Sequence, residues 1–571
     1  MLLGIVAATI WSAWRSIRPP APQIAAAAAP ERGGTLTATL RSEPRSFNRL
    51  VARDFPTDLA SLFTHGKLVR VNRATDEIEP GLAESWTASP DGLRYTLTLR
   101  DGVRWSDGEP FTADDVRFSF EAVFDPAVNS VLASALTVDG RPLAVETPDP
   151  RTVIVVFPGP FGPGIRLLDN LPIVPRHKLG AALAAGTFAQ AWGAATPPAE
   201  MTGLGPFVLA RYEPGQRLVF ERNPHYWRRD DEGAQLPYLD RLVLEIAPDQ
   251  NAEMLRLQSG DVDMLQLPLR AEDIAVMRPL AREGRLRVLE LGVSTDPDSF
   301  FFNLRPGFWA KDPRRAWLPR DEFRQAISHA VDREAFADAV FLGAAVPIHG
   351  PITPGNTRWF WPNVPRYAYS TDTAASLLAG LGLKNRDADE WLEDEHGTEV
   401  RFTVLTFRGN TVMERSTAVL RDALKAVGIA VDIVPLEQGA LIQRMLDGGF
   451  DSIFFNFAST DLDPAMQKDF WLSSGSAHVW NIGQASPATE WEAEIDRLIT
   501  RQASTIDQAE RERLFHEVQR IFAEHLPILH FAAPRLYMGV STRVEHLTPA
   551  VTRPQLLWSA DTIGVTAAAT R

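Results

Sequence analysis

The sequence predicts a multidomain α/β protein. Its 571 residues allow three or four domains at about 150 residues each. From residue 400 onward, apolar segments of strand length alternate with segments of helix length, and this βαβαβ order implies a parallel sheet with right-handed crossovers. Hydrophobic residues make up 45% of the chain and charged residues 23%, which is typical of a folded globular protein.

The first half of the chain predicts separate strands and helices. Leu93, Leu97 and Leu99 alternate with polar residues, as in a half-buried strand. Thr112 precedes Asp115 by three residues, a spacing that predicts a capped helix through 116–123. The remaining predictions are strands at 35–40 and 151–157 and a short helix at 59–69.

The second half predicts a more regular pattern. We expect strands at 400–407, 429–434 and 453–457, helices at 412–427, 438–446, 490–502 and 508–525, and further strands near Leu529 and Leu536. Ligands of parallel sheets bind outside the carboxyl ends of the strands. The segment 457–464, which follows a predicted strand, is therefore a candidate for ligand binding.

Composition excludes several classes of function. The chain has no cysteine, so it has no disulfide, no thiolate nucleophile, no cysteine metal site and no lipidated N-terminal cysteine. Its formal net charge of -14 repels nucleic-acid phosphates. Nucleic acid is therefore not expected as a partner.

The N-terminus predicts export. Residues 2–14 form an apolar run of thirteen, and five alanines follow at 25–29. The run is shorter than the roughly 20 residues of a membrane-spanning helix but suits a secretory signal. The basic residues Arg15 and Arg18 follow the run rather than precede it. We interpret residues 1–30 as a signal peptide or a short N-terminal anchor, with the rest of the chain in the periplasm or another extracytoplasmic compartment.

Motifs for catalysis are absent or incomplete. His516 and Glu517 begin like a zinc-protease helix, but Arg520 stands where the second histidine belongs. The sequence contains neither a phosphate-binding loop nor a nucleophile elbow. Asp461 and Asp463 could bind a metal or act as acid and base, although a solvated loop before Pro464 is favoured. We predict no enzyme activity, cofactor or metal, and a secreted hydrolase is a remote alternative.

Eight motifs recur along the chain in a characteristic order and spacing. They are PGLAESW (80–86), YTLTLRDGVRWSDG (95–108), FTADDV (111–116), GLGPF (203–207), ERNPHYW (221–227), QSGDVD (258–263), FRQAIS (323–328) and VDR (331–333). Over nearly all of residues 33–540, the sequence thereby resembles the family 5 solute-binding proteins of ABC importers for oligopeptides and dipeptides.

The resemblance implies a periplasmic binding protein of class II-like topology (cluster C), with two hinged α/β lobes and an extra lobe. We expect lobe I to comprise three segments, 31–72, 199–290 and 530–571. The extra lobe, lobe II, is expected at 73–198 and lobe III at 291–529.

The resemblance also implies a function. Such a protein captures a peptide between its lobes by hinge closure and delivers it to a permease complex in the membrane. We expect a monomer. The same fold binding a non-peptide solute, such as a modified peptide, an oligosaccharide or a metal chelate, is the alternative.

Members of this family carry the pattern Trp-x-x-Asp-Tyr-x-Asp/Glu-Pro in the binding loop, and its first aspartate holds the peptide ammonium. Aligned on Pro464, this chain has Thr460 at that position. Either Asp461 replaces the missing carboxylate or the ligand lacks a free ammonium. The predicted ligand-binding residues are Asn456, Phe457, Ala458, Thr460, Asp461, Asp463, Arg408 and Asn410.

Overall fold

The computed structural model describes residues 32–457 and 461–566. The predicted signal or anchor at 1–30 and the predicted site residues Ala458 and Thr460 lie outside the described residues. Within the described ranges, every helix is too short or too polar to cross a membrane.

Lobe I is built on a four-stranded sheet. Its strands, in spatial order, are Thr35–Leu40, Arg241–Ile246, Arg217–Arg222 and Phe207–Glu213. The first two are parallel and the other neighbours are antiparallel. The helices of this lobe are Phe55–Thr64, Gln250–Ser259 and Ala271–Arg282.

The first of these helices begins earlier than predicted. It occupies Phe55–Thr64 rather than 59–69, because the Asp54 carboxylate accepts the Thr57 amide at 3.0 Å and Pro56 lies in the first turn. The end of the predicted helix instead enters a short strand at Val69–Val71, which pairs with Ile78–Pro80.

Lobe II contains an antiparallel sheet of strands Ala83–Ala88, Arg94–Leu99, Thr152–Val156 and Ala144–Asp149. Helices Ala113–Phe124 and Arg176–Ala184 belong to it, as does the short strand pair Thr137–Val138 and Arg141–Pro142. The predicted cap is confirmed: the Thr112 amide donates to the Asp115 carboxylate at 3.1 Å.

Lobe III has a mixed five-stranded sheet. Its strands, in spatial order, are Ala430–Leu436, Arg401–Phe407, Ser452–Asn456, Asp298–Phe302 and Ile528–Leu529. The first three are parallel, which confirms the βαβαβ prediction, and Asp298–Phe302 is antiparallel to both of its neighbours. The helices are Asp321–Ala330, Arg333–Phe341, Thr371–Gly380, Thr411–Lys425, Gln438–Asp447, Lys468–Trp471, Glu490–Ser504 and Gln508–His525.

Two chain crossings connect lobes I and III. The antiparallel strands Arg287–Val293 and Ala532–Val540 run side by side at this junction, with Ala345–Pro347 on the other edge. The buried Asp298 carboxylate accepts the amides of Phe531 and Ala532 at 2.9 and 3.1 Å. One crossing is therefore tied to the other by a single side chain.

A buried carboxylate also organises the end of lobe III. Glu492 accepts hydrogen bonds from His478 Nε2 at 3.1 Å, Gln484 Nε2 at 3.1 Å and the Thr489 amide at 3.0 Å. The Glu492 amide donates in turn to Thr489 Oγ1 at 3.2 Å, so the two residues form a capping box for helix Glu490–Ser504. This network joins the helix to the preceding loop.

Candidate functional site

A cavity of about 360 Å³ lies where the three lobes meet. Helix Phe55–Thr64 and the segment that follows it form one wall, residues of lobe II form another, and Asp461 and Leu462 contribute the lobe III side. Thr552, Arg553 and Pro554 of the C-terminal segment complete the lining. Its volume is within the usual range for small-ligand sites.

An ion-pair network crosses the cavity from lobe II to lobe III. Arg166 Nε donates to both Asp461 carboxylate oxygens, at 3.0 and 3.2 Å. Its Nη2 donates to Asp76 Oδ1 at 2.7 Å. The Arg166 side chain is only 8% exposed, so this arrangement satisfies a guanidinium that would otherwise be buried without a partner.

Burial and charge act on Asp461 in opposite directions. Burial raises the pKa of Asp461 to about 6, whereas the Arg166 guanidinium favours the ionised form. The two aspartates outweigh the effect of burial on Arg166 and raise the pKa of that group. At neutral pH Asp461 is thus predominantly a carboxylate that is neutralised by Arg166.

Two further ion pairs line the same cavity. Lys67 Nζ lies 3.3 Å from Asp169 Oδ2, and the Arg49 guanidinium pairs with the Asp58 carboxylate. A smaller cavity of about 80 Å³ adjoins this region and shares Lys67 and Asp169 with it. The site is therefore polar, and its charged groups come mostly from lobes I and II.

Lobes II and III also contact each other beside the cavity. The Gly162 amide donates to the Ala503 carbonyl at 2.6 Å, and the Lys468 ammonium lies 5.7 Å from the centre of the Phe161 ring. The Arg166 bridge is thus part of a continuous contact between these lobes.

The other predicted residues near Asp461 contact lobe III itself rather than the cavity. Asp463 is buried and pairs with Arg511 at 2.6 Å inside lobe III. Phe457 packs against Phe301, with ring centres 6.0 Å apart. Asn456 Nδ2 donates to the Pro297 carbonyl at 2.9 Å. Of these predicted residues, Asp461 is the one whose side chain lines the cavity as described.

Arg408 and Asn410 lie at the carboxyl end of strand Arg401–Phe407, as predicted. Arg408 is exposed and donates to the Pro435 carbonyl at 3.0 Å. The Asn410 side chain caps helix Thr411–Lys425 by accepting the Met413 amide at 3.1 Å. The lining of the described cavity includes neither residue, and their contact with a ligand stays a prediction.

Sequence reasoning did not identify Arg166, Asp76, Lys67 or Asp169. Arg166 lies among buried apolar residues of a short 3-10 helix, Gly164–Asn170. An arginine inside an apolar segment is a signal, because a buried guanidinium needs an anionic partner. The identity of that partner could not be inferred, since Asp461 is 295 positions away.

One cluster of carboxylates could hold a metal ion by geometry alone. Among the described residues it consists of Asp387, Asp389 and Glu393. Two of the three residues are exposed, and the carboxylates accept amides of their own loop. The cluster therefore serves as a set of turn contacts.

Comparison with known proteins identifies the family of this chain. The family model described as "Bacterial extracellular solute-binding proteins, family 5 Middle" matches residues 77–478. The chain belongs to this family.

Three known proteins resemble this chain in sequence or in fold. Oligopeptide-binding protein AppA of Bacillus subtilis is 27% identical over 529 residues, 90% of this chain and 89% of the relative. Its structure with a nonapeptide aligns with a TM-score of 0.71 at 24% identity, covering 94% of this chain and 100% of that one.

The substrate-binding protein CtaP of Listeria monocytogenes aligns with a TM-score of 0.76 at 23% identity, covering 94% and 100% of the two chains. The periplasmic binding protein MelB from Agrobacterium fabrum, in complex with stachyose, aligns with a TM-score of 0.72 at 22% identity, covering 94% and 86%. One fold thus accommodates both peptide and sugar.

Proposed function

We propose that this chain is the substrate-binding component of an ABC importer and that it captures a peptide or peptide-like solute between its lobes. The observation that carries the proposal is the cavity at the meeting point of the three lobes, in a chain of the family 5 solute-binding proteins. The protein acts as an exported monomer and delivers its ligand, without turnover, to a membrane permease.

The geometry supports capture by hinge closure. Lobe III contributes Asp461 and Leu462, while the opposite wall belongs to lobes I and II. Rotation about the paired crossings at Arg287–Val293 and Ala532–Val540 would separate these walls and admit solute. Closure would then surround the ligand.

The direct test is the identification of any solute that co-purifies. Mild denaturation followed by mass spectrometry of the released material would identify it, and calorimetry on the refolded protein would give its stoichiometry. A peptide bound at one per chain, recovered intact, supports the proposal. Absence of binding to any solute of this size, or cleavage of a peptide or glycan library by the pure protein, would contradict it.

The placement of the site can be tested separately with Asp461→Ala and Phe457→Ala. We expect both to change the affinity for the co-purified ligand, because Asp461 lines the cavity and Phe457 ends the described segment that precedes it. Asp338→Ala is the matched control, because Asp338 is exposed on helix Arg333–Phe341 outside the cavity lining. Native affinity in both test variants would show that the ligand binds elsewhere.

A non-peptide solute is the second candidate. It is favoured by the pairing of Asp461 with Arg166, which leaves that carboxylate unavailable to a peptide ammonium unless the bridge opens. The stachyose complex of MelB shows that this fold accepts a ligand without an ammonium. The co-purification experiment distinguishes the two candidates.

A further inference from the structure

The lining of the cavity between the lobes has more cationic than anionic side chains. Its lining contains five carboxylates and six cationic side chains. The carboxylates are Asp54, Asp58, Asp76, Asp169 and Asp461, and the cations are Arg49, Arg53, Lys67, Arg73, Arg166 and Arg553.

Every carboxylate of the lining is already engaged. Asp58 pairs with Arg49, Asp169 with Lys67, and both Asp76 and Asp461 with Arg166. Asp54 caps helix Phe55–Thr64 and also accepts the Thr57 hydroxyl at 2.8 Å. A cationic ligand would therefore have to displace an internal partner before it could bind a carboxylate.

Two arginines of the lining are not engaged in this way. Arg53 and Arg73 form no side-chain hydrogen bond or ion pair with any described residue, although Arg53 is near enough to Asp58 to lower the pKa of that carboxyl. Arg53 is exposed and Arg73 is half-buried. Among the described residues neither guanidinium has a direct anionic partner, so both can contact a ligand of this cavity.

Arg53 and Arg73 lie close enough to the paired cations of the cavity to act on them electrostatically. Burial is the main cause that lowers the pKa of Lys67; Asp169 opposes it, and Arg73 lowers the pKa further. Burial likewise lowers the pKa of Arg49, which Asp58 and Asp54 oppose and Arg53 reinforces. The two arginines thus add positive charge beside ion pairs that are already formed.

We propose that this cavity selects a solute of net negative charge, whose carboxylate or phosphate group binds Arg53 and Arg73. This inference rests on the proposed function, because it concerns the ligand of the same cavity. Guanidinium groups bind carboxylates and phosphates through paired, charge-assisted hydrogen bonds. A ligand without a free ammonium would also need no replacement for the carboxylate that is missing at Thr460.

The test compares ligands of matched size by calorimetry on refolded, ligand-free protein. The probes are N-acetyl-Ala-Glu-Ala, glucose 6-phosphate, Ala-Ala-Ala and Ala-Lys-Ala-amide. We expect at least one of the two anionic probes to bind about tenfold or more tightly than the zwitterionic and cationic peptides. Which anionic probe binds identifies a blocked acidic peptide or a phosphorylated sugar as the source of the anion.

Variants then connect the preference to the two arginines. Arg53→Gln and Arg73→Gln should each weaken binding of the preferred anionic probe about tenfold, with an unchanged melting temperature. Arg282→Gln is the matched control, because Arg282 is an exposed arginine at the end of helix Ala271–Arg282 outside the cavity lining. It should bind the probe as the wild type does.

Equal or tighter binding of the zwitterionic or cationic peptides would overturn this inference while leaving the proposed function intact. Unchanged affinity in both arginine variants would also overturn it. Failure of every probe, together with the absence of a co-purified solute, would instead contradict the proposed function.

Discussion

Replacing Arg166 with methionine should separate lobes II and III in the ligand-free protein. Methionine keeps an unbranched apolar stem at this position but lacks the guanidinium. The hydrogen bonds to Asp461 at 3.0 and 3.2 Å and to Asp76 at 2.7 Å are therefore lost. The substitution also removes the cation that pairs with Asp461, whereas Asp76 retains Arg358 at 3.4 Å. Because Asp461 belongs to lobe III and Arg166 to lobe II, the loss acts directly on the contact between the lobes.

The size of the effect follows from the burial of the pair. Two unit charges about 4 Å apart attract by about 4 kcal/mol at an effective dielectric constant of about 20. The side chains of Arg166 and Asp461 are 8% and 18% exposed, so desolvation offsets part of that attraction. A net coupling of about 1.5 to 3 kcal/mol remains, as for other charge-assisted hydrogen bonds. The population of the closed form should therefore fall about 10- to 150-fold relative to the open form.

The absence of cysteine makes this shift measurable. Ala144→Cys in lobe II and Ala440→Cys in lobe III are both exposed and would be the two labelling sites in a chain with no native cysteine. Electron–electron distance measurements on spin labels at these sites give the distribution of lobe separations. We expect a longer distance in Arg166→Met, and a double-mutant cycle with Asp461→Asn should return the coupling energy.

The control for this measurement is Arg497→Met, which removes an exposed pair with Glu494 inside lobe III. It should leave the distance distribution unchanged. If Arg166→Met gave the wild-type distribution, the bridge would make no contribution to closure and the reasoning would be refuted.

Two predictions concern buried carboxylates and pH. Burial raises the pKa of Asp298 to about 7, so its contribution to stability is full below its unfolded-state pKa near 4 and is lost as the pH rises through about 7. Between pH 4 and pH 9, the free energy of unfolding of Asp298→Asn, measured by urea denaturation, should rise by up to about 4 kcal/mol relative to that of the wild type. Parallel plots of unfolding free energy against pH for the two proteins would contradict this. Burial disfavours ionisation of Glu492, but hydrogen bonds outweigh it and lower the pKa to about 2. The free energy of unfolding of Glu492→Gln should therefore be about 3 kcal/mol lower than that of the wild type at pH 7. This difference should diminish as the pH falls below about 4.5 toward 2, and a difference that stayed constant would contradict the prediction.

Local patterns in the sequence predicted most of the elements of lobe III. The strand expected at 400–407 is Arg401–Phe407, and the helix expected at 508–525 is Gln508–His525. Such elements are encoded by hydrophobic period and capping residues, which act over a few positions. Asn410 shows the limit of such local patterns. An asparagine directly before a helix is a capping signal, and the structure shows that capping role, whereas its predicted contact with a ligand stays untested.

The candidate site was less predictable, because its charges come together only through the fold. Asp76 and Arg166 are 90 positions apart, and Arg166 and Asp461 are 295 apart. No local pattern decides which of many carboxylates meets a given arginine. Asp461 was predicted from the strand that precedes it, whereas its neutralisation by a residue of another lobe required the three-dimensional arrangement.

The Arg166–Asp461 bridge affects how an anion would bind to Arg53 and Arg73. An anion bound at Arg53 and Arg73 would lie in the same cavity as the Asp461 carboxylate, and an ionised Asp461 without a partner would repel it. Arg166 reduces that repulsion by pairing with Asp461, while Asp76 is shared between Arg166 and Arg358. A ligand can shift the lobes toward the closed form only by binding that form more tightly than the open one. The bridge joins lobes II and III, so Asp461 is neutralised by Arg166 in the closed form. An anionic ligand would therefore meet less repulsion in the closed form than in the open one, and this difference in affinity would allow it to stabilise closure.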